Sequence, residues 1–153
     1  MIPKHLNKNE IIVVHGGSDK TNRAALDSNK VDILLDPHLG NRRDKMHQRN
    51  SGLNQVLLKL AKKNNVAIGI SFKNILKSKA EDLGRIIQNI KLCRKYKVKI
   101  VILEYEGRNE EDVNSLFKVL GMTAKEVKDS DNYEKEKLDF KKRYVLKGVK
   151  LVS

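Results

Sequence analysis

Four short apolar runs rich in β-branched residues recur along the chain: Ile11–Val14 (IIVV), Val31–Leu35 (VDILL), Val66–Ser71 (VAIGIS) and Lys99–Leu103 (KIVIL). Runs of this length without polar alternation are the pattern of strands covered on both faces. Helical periodicity fills the intervals. TNRAALDS reads as one or two helical turns. SGLNQVLLKLAKKN opens on a good N-cap at Ser51 and sets Leu53, Val56, Leu57, Leu60 and Ala61 on one face. Ala80–Tyr96 repeats the arrangement with Leu83, Ile86, Ile87, Ile90 and Cys93, and a further helix runs from about Glu110 to Leu120, between a cap at Asn109 and a stop at Gly121. Thr123 opens a short helical turn, TAKEVK. The charged Asn132–Tyr144 segment reads as a solvated helix, and the tail YVLKGVKLV as a terminal strand. Strand and helix alternating at this spacing give a parallel α/β fold with right-handed crossovers. Periodicity leaves an open sheet and a barrel equally possible. The 153 residues fit a single domain, 1–153, with no repeat, low-complexity tract or linker.

Charge narrows the function. Lys and Arg number 32 against 19 Asp and Glu, a formal charge of +13. Self-repulsion of that size opposes compaction, and a polyanionic partner that neutralises it is the usual reason it is tolerated. A lysine-rich but ordinary solvated surface is the plainer alternative. Aromatic residues make up only 5% and Trp is absent, so RNA contacts are expected to go to phosphate rather than to stacked bases. No apolar run is long enough to span a membrane, and MIPKHLNKNE has no secretory apolar stretch. With the single cysteine, Cys93, unable to form an internal disulfide, a cytoplasmic location is expected.

Two loops at strand C-termini, the edge where parallel α/β folds bind ligands, concentrate polar residues. HGGSDKTNRAA follows the first strand; it matches no known phosphate-loop spacing, and an ordinary strand-to-helix turn explains it as well. DPHLGNRRDKMHQRNSG follows the second. It is long for such a connection and gathers Arg42, Arg43, Lys45 and Arg49 with His38 and His47 before a helix N-terminus, a setting suited to phosphate. Metal chemistry is the rival. Its candidate ligands are His5, His15, His38, His47, Asp32, Asp36 and Asp44, but none has a recognised ligand spacing. Cys93 falls on an apolar helix stripe, where cysteines are inert. Glu104 and Glu106 end the last strand as an acid–base candidate, and with Tyr105 and Gly107 a plain turn explains them equally well.

The stretch IIVVHGGSDKTNRAALDSNKVDILLDPHLGNRRDK, followed by SGLNQVLLKLAKKNNVAIGISFKNIL, resembles ribonuclease P protein component 3, the archaeal relative of the thirty-kilodalton eukaryotic subunit. KLCRKYKVKIVI, GMTAKEV and YVLKGVKLV also resemble that family's pattern, so the likeness covers most of the chain. The resemblance implies a TIM-barrel-like parallel sheet with outer helices, here an incomplete barrel, since family members carry two further β/α units ahead of the strand at Ile11–Val14. It implies a protein subunit that binds and organises the ribonuclease P RNA with component 2, so that the 5′ leader is removed from precursor tRNA. In that arrangement the RNA and its magnesium ions carry out the hydrolysis, and this chain supplies neither catalytic residue nor cofactor. The residues expected at the RNA are Lys20, Arg23, Arg42, Arg43, Lys45, Arg49 and Lys73, with Asn22 supporting a loop. A metal-dependent phosphoesterase of the related histidinol-phosphatase-like barrels is the alternative, resting on Asp36 and His38. Three departures from the family pattern stand out. Asn54-Gln55 replaces an acidic-histidine pair, DKMHQRN lengthens the basic loop, and Glu104-Tyr105-Glu106 stands where relatives have a small polar strand end.

Overall fold

A computed structural model describes residues 10–146. The strands are β1 (Val13–His15), β2 (Ile33–Leu35), β3 (Ala67–Ser71) and β4 (Ile100–Leu103). They form one parallel sheet in the order β1-β2-β3-β4. The helices are α1 (Asp19–Leu26), α2 (Gln55–Asn64), the short α3 (Phe72–Ile75), α4 (Ala80–Tyr96), α5 (Glu110–Val119) and α6 (Ala124–Leu146).

Sequential strand order decides between the two architectures that periodicity left open. Leu34, Ile68, Ile70, Ile100 and Ile102 point to one face and pack with Leu26, Leu58, Ala61, Ile86, Ile90 and Phe117. The connecting helices α1, α2, α4 and α5 therefore all lie on that side. Strands added one after another with every crossover helix on one face are the pattern of a barrel wall, whereas a doubly wound sheet reverses order and covers both faces. Among the described residues the wall stays open. The other face carries Ile33, Ala67 and Val101, and Tyr133 of α6 packs onto it.

Helix α6 is fastened at several points. Its Ser130 hydroxyl accepts the Ile102 amide at 2.9 Å, satisfying the edge of β4, and the Tyr133 hydroxyl donates to the Asp32 carbonyl at 3.1 Å. Lys137 reaches the Asn65 carbonyl at 3.0 Å and the Asp32 carboxylate at 3.5 Å. At its start, Thr123 and Glu126 exchange backbone and side-chain bonds, and Arg94 of α4 grips Glu126 through both carboxylate oxygens at 2.8 Å. The hydrogen bond from Arg94 holds the Glu126 carboxyl below its ordinary range.

Several sequence expectations need correction. TAKEVK is not a separate turn; it begins the same helix that carries the charged segment from Asn132. Tyr144 to Leu146 continue that helix instead of starting a strand, and the rest of the expected terminal strand lies outside the described residues. Helix α2 is capped by Asn54, whose side chain accepts the Leu57 amide at 2.9 Å. Starting there, the helix buries Leu57, Leu58 and Ala61 and turns Val56 outward. Ser51 lies in the preceding loop. Among the described residues β1 is an edge strand with Val13 exposed, not a strand covered on both faces.

Candidate nucleic-acid interface

All four strands point their C-termini to one edge, and the loops after β1 and β2 meet there. Gly16 closes the turn after β1, its amide donating to the Leu35 carbonyl at 2.6 Å. A side chain at Gly16 would collide with Asn22 and Pro37, so only glycine lets the two loops approach this closely. Asn22 is fully buried between them. Its carbonyl oxygen accepts the Gly17 amide at 3.0 Å, while its amide donates to the Pro37 carbonyl at 3.0 Å and the Gly52 carbonyl at 3.3 Å. These bonds make Asn22 a buried brace between the two loops, with no part of its side chain at the surface.

Arg42 is a correction. Expected at a phosphate, its side chain is only 4% exposed. Nε donates to the Leu39 carbonyl at 3.1 Å, and Nη1 to Asp19 at 2.7 Å and Asn50 at 3.1 Å. Nη2 donates to the Gly17 carbonyl. A guanidinium has five N–H donors, and these contacts direct Arg42 inward, where it ties the loop after β2 to the loop after β1.

The long loop from Asp36 is also held from outside, by helix α4. Arg85, 6% exposed, directs Nε to Asp44 at 3.1 Å, Nη1 to Asp82 at 3.4 Å and Nη2 to the Arg42 carbonyl at 3.3 Å. Gln88 donates to the Arg49 carbonyl at 3.0 Å and the Ser51 hydroxyl at 3.1 Å, and Asn89 to the Ser51 carbonyl at 3.0 Å. The Arg49 guanidinium rests against Gly84, where any Cβ would stand 2.5 Å from its Cζ. Sequence reading missed Arg85, Gln88, Asn89 and Gly84. The available signal was Arg85 and Asn89, four apart beside the apolar stripe of Ile86 and Ile90, on the inward side of the helix.

Apart from Asp19, which is exposed but paired with Arg42, the charged side chains facing solvent here are mainly basic. Lys20 and Arg23 on α1 are exposed, as are Arg43, Lys45, His47 and Arg49 in the loop. Within residues 41–50 the one acid, Asp44, is turned aside: it accepts the Asn50 amide at 2.8 Å and the Arg85 contact, and the Asn50 bond foremost keeps its carboxyl below the ordinary range. Between residues 45 and 48 the chain closes a tight turn through reciprocal backbone bonds of 2.8 and 3.3 Å. Lys73 stands apart from this group. It lines a cleft with Phe72, Leu76, Glu104, Glu106 and Arg108 at the ends of β3 and β4.

The carboxylates of the metal reading, Asp32, Asp36 and Asp44, are otherwise engaged. Asp36 is buried, with one oxygen accepting the Ser71 amide at 3.0 Å and the other the Asn74 side chain at 2.6 Å. Ser71 in turn donates to Glu104 at 2.7 Å. His38 is 1% exposed, and burial pushes its pKa down against the pull of Asp36 and Asp82. Asp32 accepts the Ile12 amide at 2.8 Å. His5 lies outside the described residues. Among the described residues no three His, Cys, Asp or Glu side chains are grouped to hold a metal ion. Cys93 is fully buried and its thiol is pushed far up by burial, as an inert core cysteine should be. No helix among the described residues is long and apolar enough to cross a membrane.

Comparison with known proteins places this architecture. Residues 1–138 match the family described as RNase P subunit p30. The chain belongs to that family. Ribonuclease P protein component 3 of Methanosarcina acetivorans is 34% identical over 166 aligned positions, covering 100% of this chain and 66% of the relative. The same component of Methanococcus maripaludis strain C6 is 42% identical over 105 positions, covering 66% of this chain and 42% of the relative. A chain from a cryo-EM structure of archaeal ribonuclease P with mature tRNA superposes with a TM-score of 0.68 at 29% identity, over 88% of this chain and 58% of that one. The chain thus spans slightly less than two thirds of the Methanosarcina relative. The family resemblance and the barrel-like wall expected from the sequence are borne out. Asn54, one of the family departures, serves as a helix cap.

Proposed function

We propose that this chain acts as a protein subunit of ribonuclease P that binds and organises the catalytic RNA for removal of the 5′ leader from precursor tRNA. The carrying observation is the loop of residues 36–54, long and strongly basic, yet pinned from beneath by Arg42 and Asn22 and from the side by Arg85, Gln88 and Asn89. A loop fixed before binding spends little further conformational entropy when RNA arrives. Its outward cations, Arg43, Lys45 and Arg49, with Lys20 and Arg23 on α1 and Lys73 at the far end of the edge, are the proposed phosphate contacts. Asn22 and Arg42 act beneath them as supports. In this reading the hydrolysis and its magnesium belong to the RNA, this chain holds no cofactor, and ribonuclease P protein component 2 is its protein partner. The setting is the cytoplasm.

Neutralising about six phosphates makes affinity fall roughly a thousandfold between about 50 and about 200 mM salt. The deciding experiment is reconstitution: catalytic RNA and component 2, with and without this chain, with precursor-tRNA cleavage followed at low magnesium. Stimulation that depends on the chain supports the reading. A folded chain that leaves cleavage unchanged overturns it.

A further inference from the structure

Met46 is 92% exposed. It sits at the apex of the turn in which Lys45 and Gln48 exchange backbone hydrogen bonds at 2.8 and 3.3 Å. A tight turn normally carries small or polar residues at its tip, and a long apolar side chain held fully in water gains nothing for the fold. The base of the turn is fixed. Asp44 is held by the Asn50 amide and by Arg85, the Arg49 carbonyl by Gln88, and the Arg49 guanidinium rests on Gly84. Met46 therefore projects from a braced support. The exposed cations Arg43, Lys45 and Arg49 flank it within three residues in the sequence, with His47 beside it at the apex. The nearby acid, Asp44, is turned to Asn50 and Arg85.

An apolar tip in a loop rich in exposed cations fits a polyanion that also offers a flat apolar surface. Methionine is unbranched and polarizable, and packs well on a π face; apolar side chains of this kind are used as wedges against bases in nucleic-acid complexes. Fully paired RNA hides its base faces in the stack, whereas bulges and loops leave them open. We propose that Met46 packs on the face of an unpaired nucleotide while Arg43, Lys45 and Arg49 hold the flanking phosphates. This rests on the RNA-binding reading and adds to it a contact that distinguishes unpaired from paired RNA.

The test uses the full chain and two RNA hairpins of equal length, one fully paired and one carrying a bulge, titrated by fluorescence anisotropy across a salt series. The wild type is expected to prefer the bulged hairpin. Met46→Ala should weaken that complex about fivefold or more, the size of effect seen when a base-packing side chain is removed. It should leave the paired hairpin, and the dependence of affinity on salt, unchanged. Met46→Phe should retain the preference. Arg43→Ala, by contrast, should weaken both complexes and reduce the salt slope by about one. Equal affinity of Met46→Ala and wild type for the bulged hairpin would overturn the proposal while leaving RNA binding intact, as would an equal loss on both hairpins. A wild type that binds neither hairpin overturns the RNA-binding reading and this inference with it.

Discussion

Arg85 of helix α4 and Asp44 of the basic loop, 41 positions apart in sequence, meet at 3.1 Å. Through Nη2, Arg85 also holds the Arg42 carbonyl at 3.3 Å, so one side chain fixes two points of a loop that has little regular structure of its own. Arg85→Met keeps much of the buried bulk and removes every donor. Hydrogen exchange of the amides from Lys45 to Asn50 should quicken, and RNA affinity should fall although Arg85 itself faces inward. Unchanged exchange in that stretch would show that Gln88 and Asn89 hold the loop without Arg85.

Arg42 and Arg43 are neighbours with opposite duties. Arg42 is directed into the protein and its side chain is 4% exposed, whereas Arg43 is exposed. Removing Arg42 leaves the Gly17 and Leu39 carbonyls and the Asn50 side chain without a charged donor, a loss of about 2 kcal/mol in unfolding free energy. Arg43→Ala should leave stability within about 0.5 kcal/mol of wild type, as surface changes usually do, and weaken RNA binding. Urea unfolding and RNA titration of the two single variants separate the roles. Equal stability of both variants would contradict the inward placement of Arg42.

That pair shows where sequence reading stops. β-branched runs and helical periodicity located the four strands and the major helices because burial imposes those patterns locally. The ring of helices on a single face was legible only through the family resemblance, since periodicity says that a strand is covered and not by what. The basic loop was legible as a concentration of charge. Which of its arginines turn inward was not, because that depends on Gly17, Leu39 and Asp19 lying within reach of Arg42, and on α4 packing alongside. Asn22 was the exception, since a loop-supporting role was expected for it. Helix α6 was split in two by its changing composition, although Val127, Ser130 and Tyr133 recur at helical spacing and are all buried.

Gly52 has φ of +81°, and a Cβ there would stand 1.9 Å from the Pro37 carbonyl oxygen. The backbone carbonyl cannot rotate away without breaking its bond from Asn22. Gly52→Ala should therefore cost more than about 3 kcal/mol, combining backbone strain with overpacking. Gly107 supplies the control: its φ is +74°, but nothing lies within 4 Å of a Cβ built there. Gly107→Ala should cost only the conformational penalty, about 1 kcal/mol. Thermal melts that rank the two equally would mean that the loop relaxes around Gly52.

His38 makes the fold acid-sensitive in a defined window. Burial lowers its pKa below the ordinary imidazole value; Asp36 and Asp82 act against that shift, while Arg42 and Arg85 add to it. In the unfolded chain the imidazole takes up a proton near about pH 6.5, whereas in the fold it stays neutral until the pH is lower. Between those two points the unfolded state binds more protons, so stability falls as the pH falls through about 6.5, and the loss is complete below the folded value. Above that window His38 contributes no pH dependence. His38→Leu, which has no group to protonate, should show a flatter dependence of melting temperature on pH between about 7 and about 5. The difference between variant and wild type isolates His38 from the carboxylates, whose own titration enters at lower pH. Parallel melting curves for the two proteins across that range would show that the imidazole titrates in the fold much as it does in water.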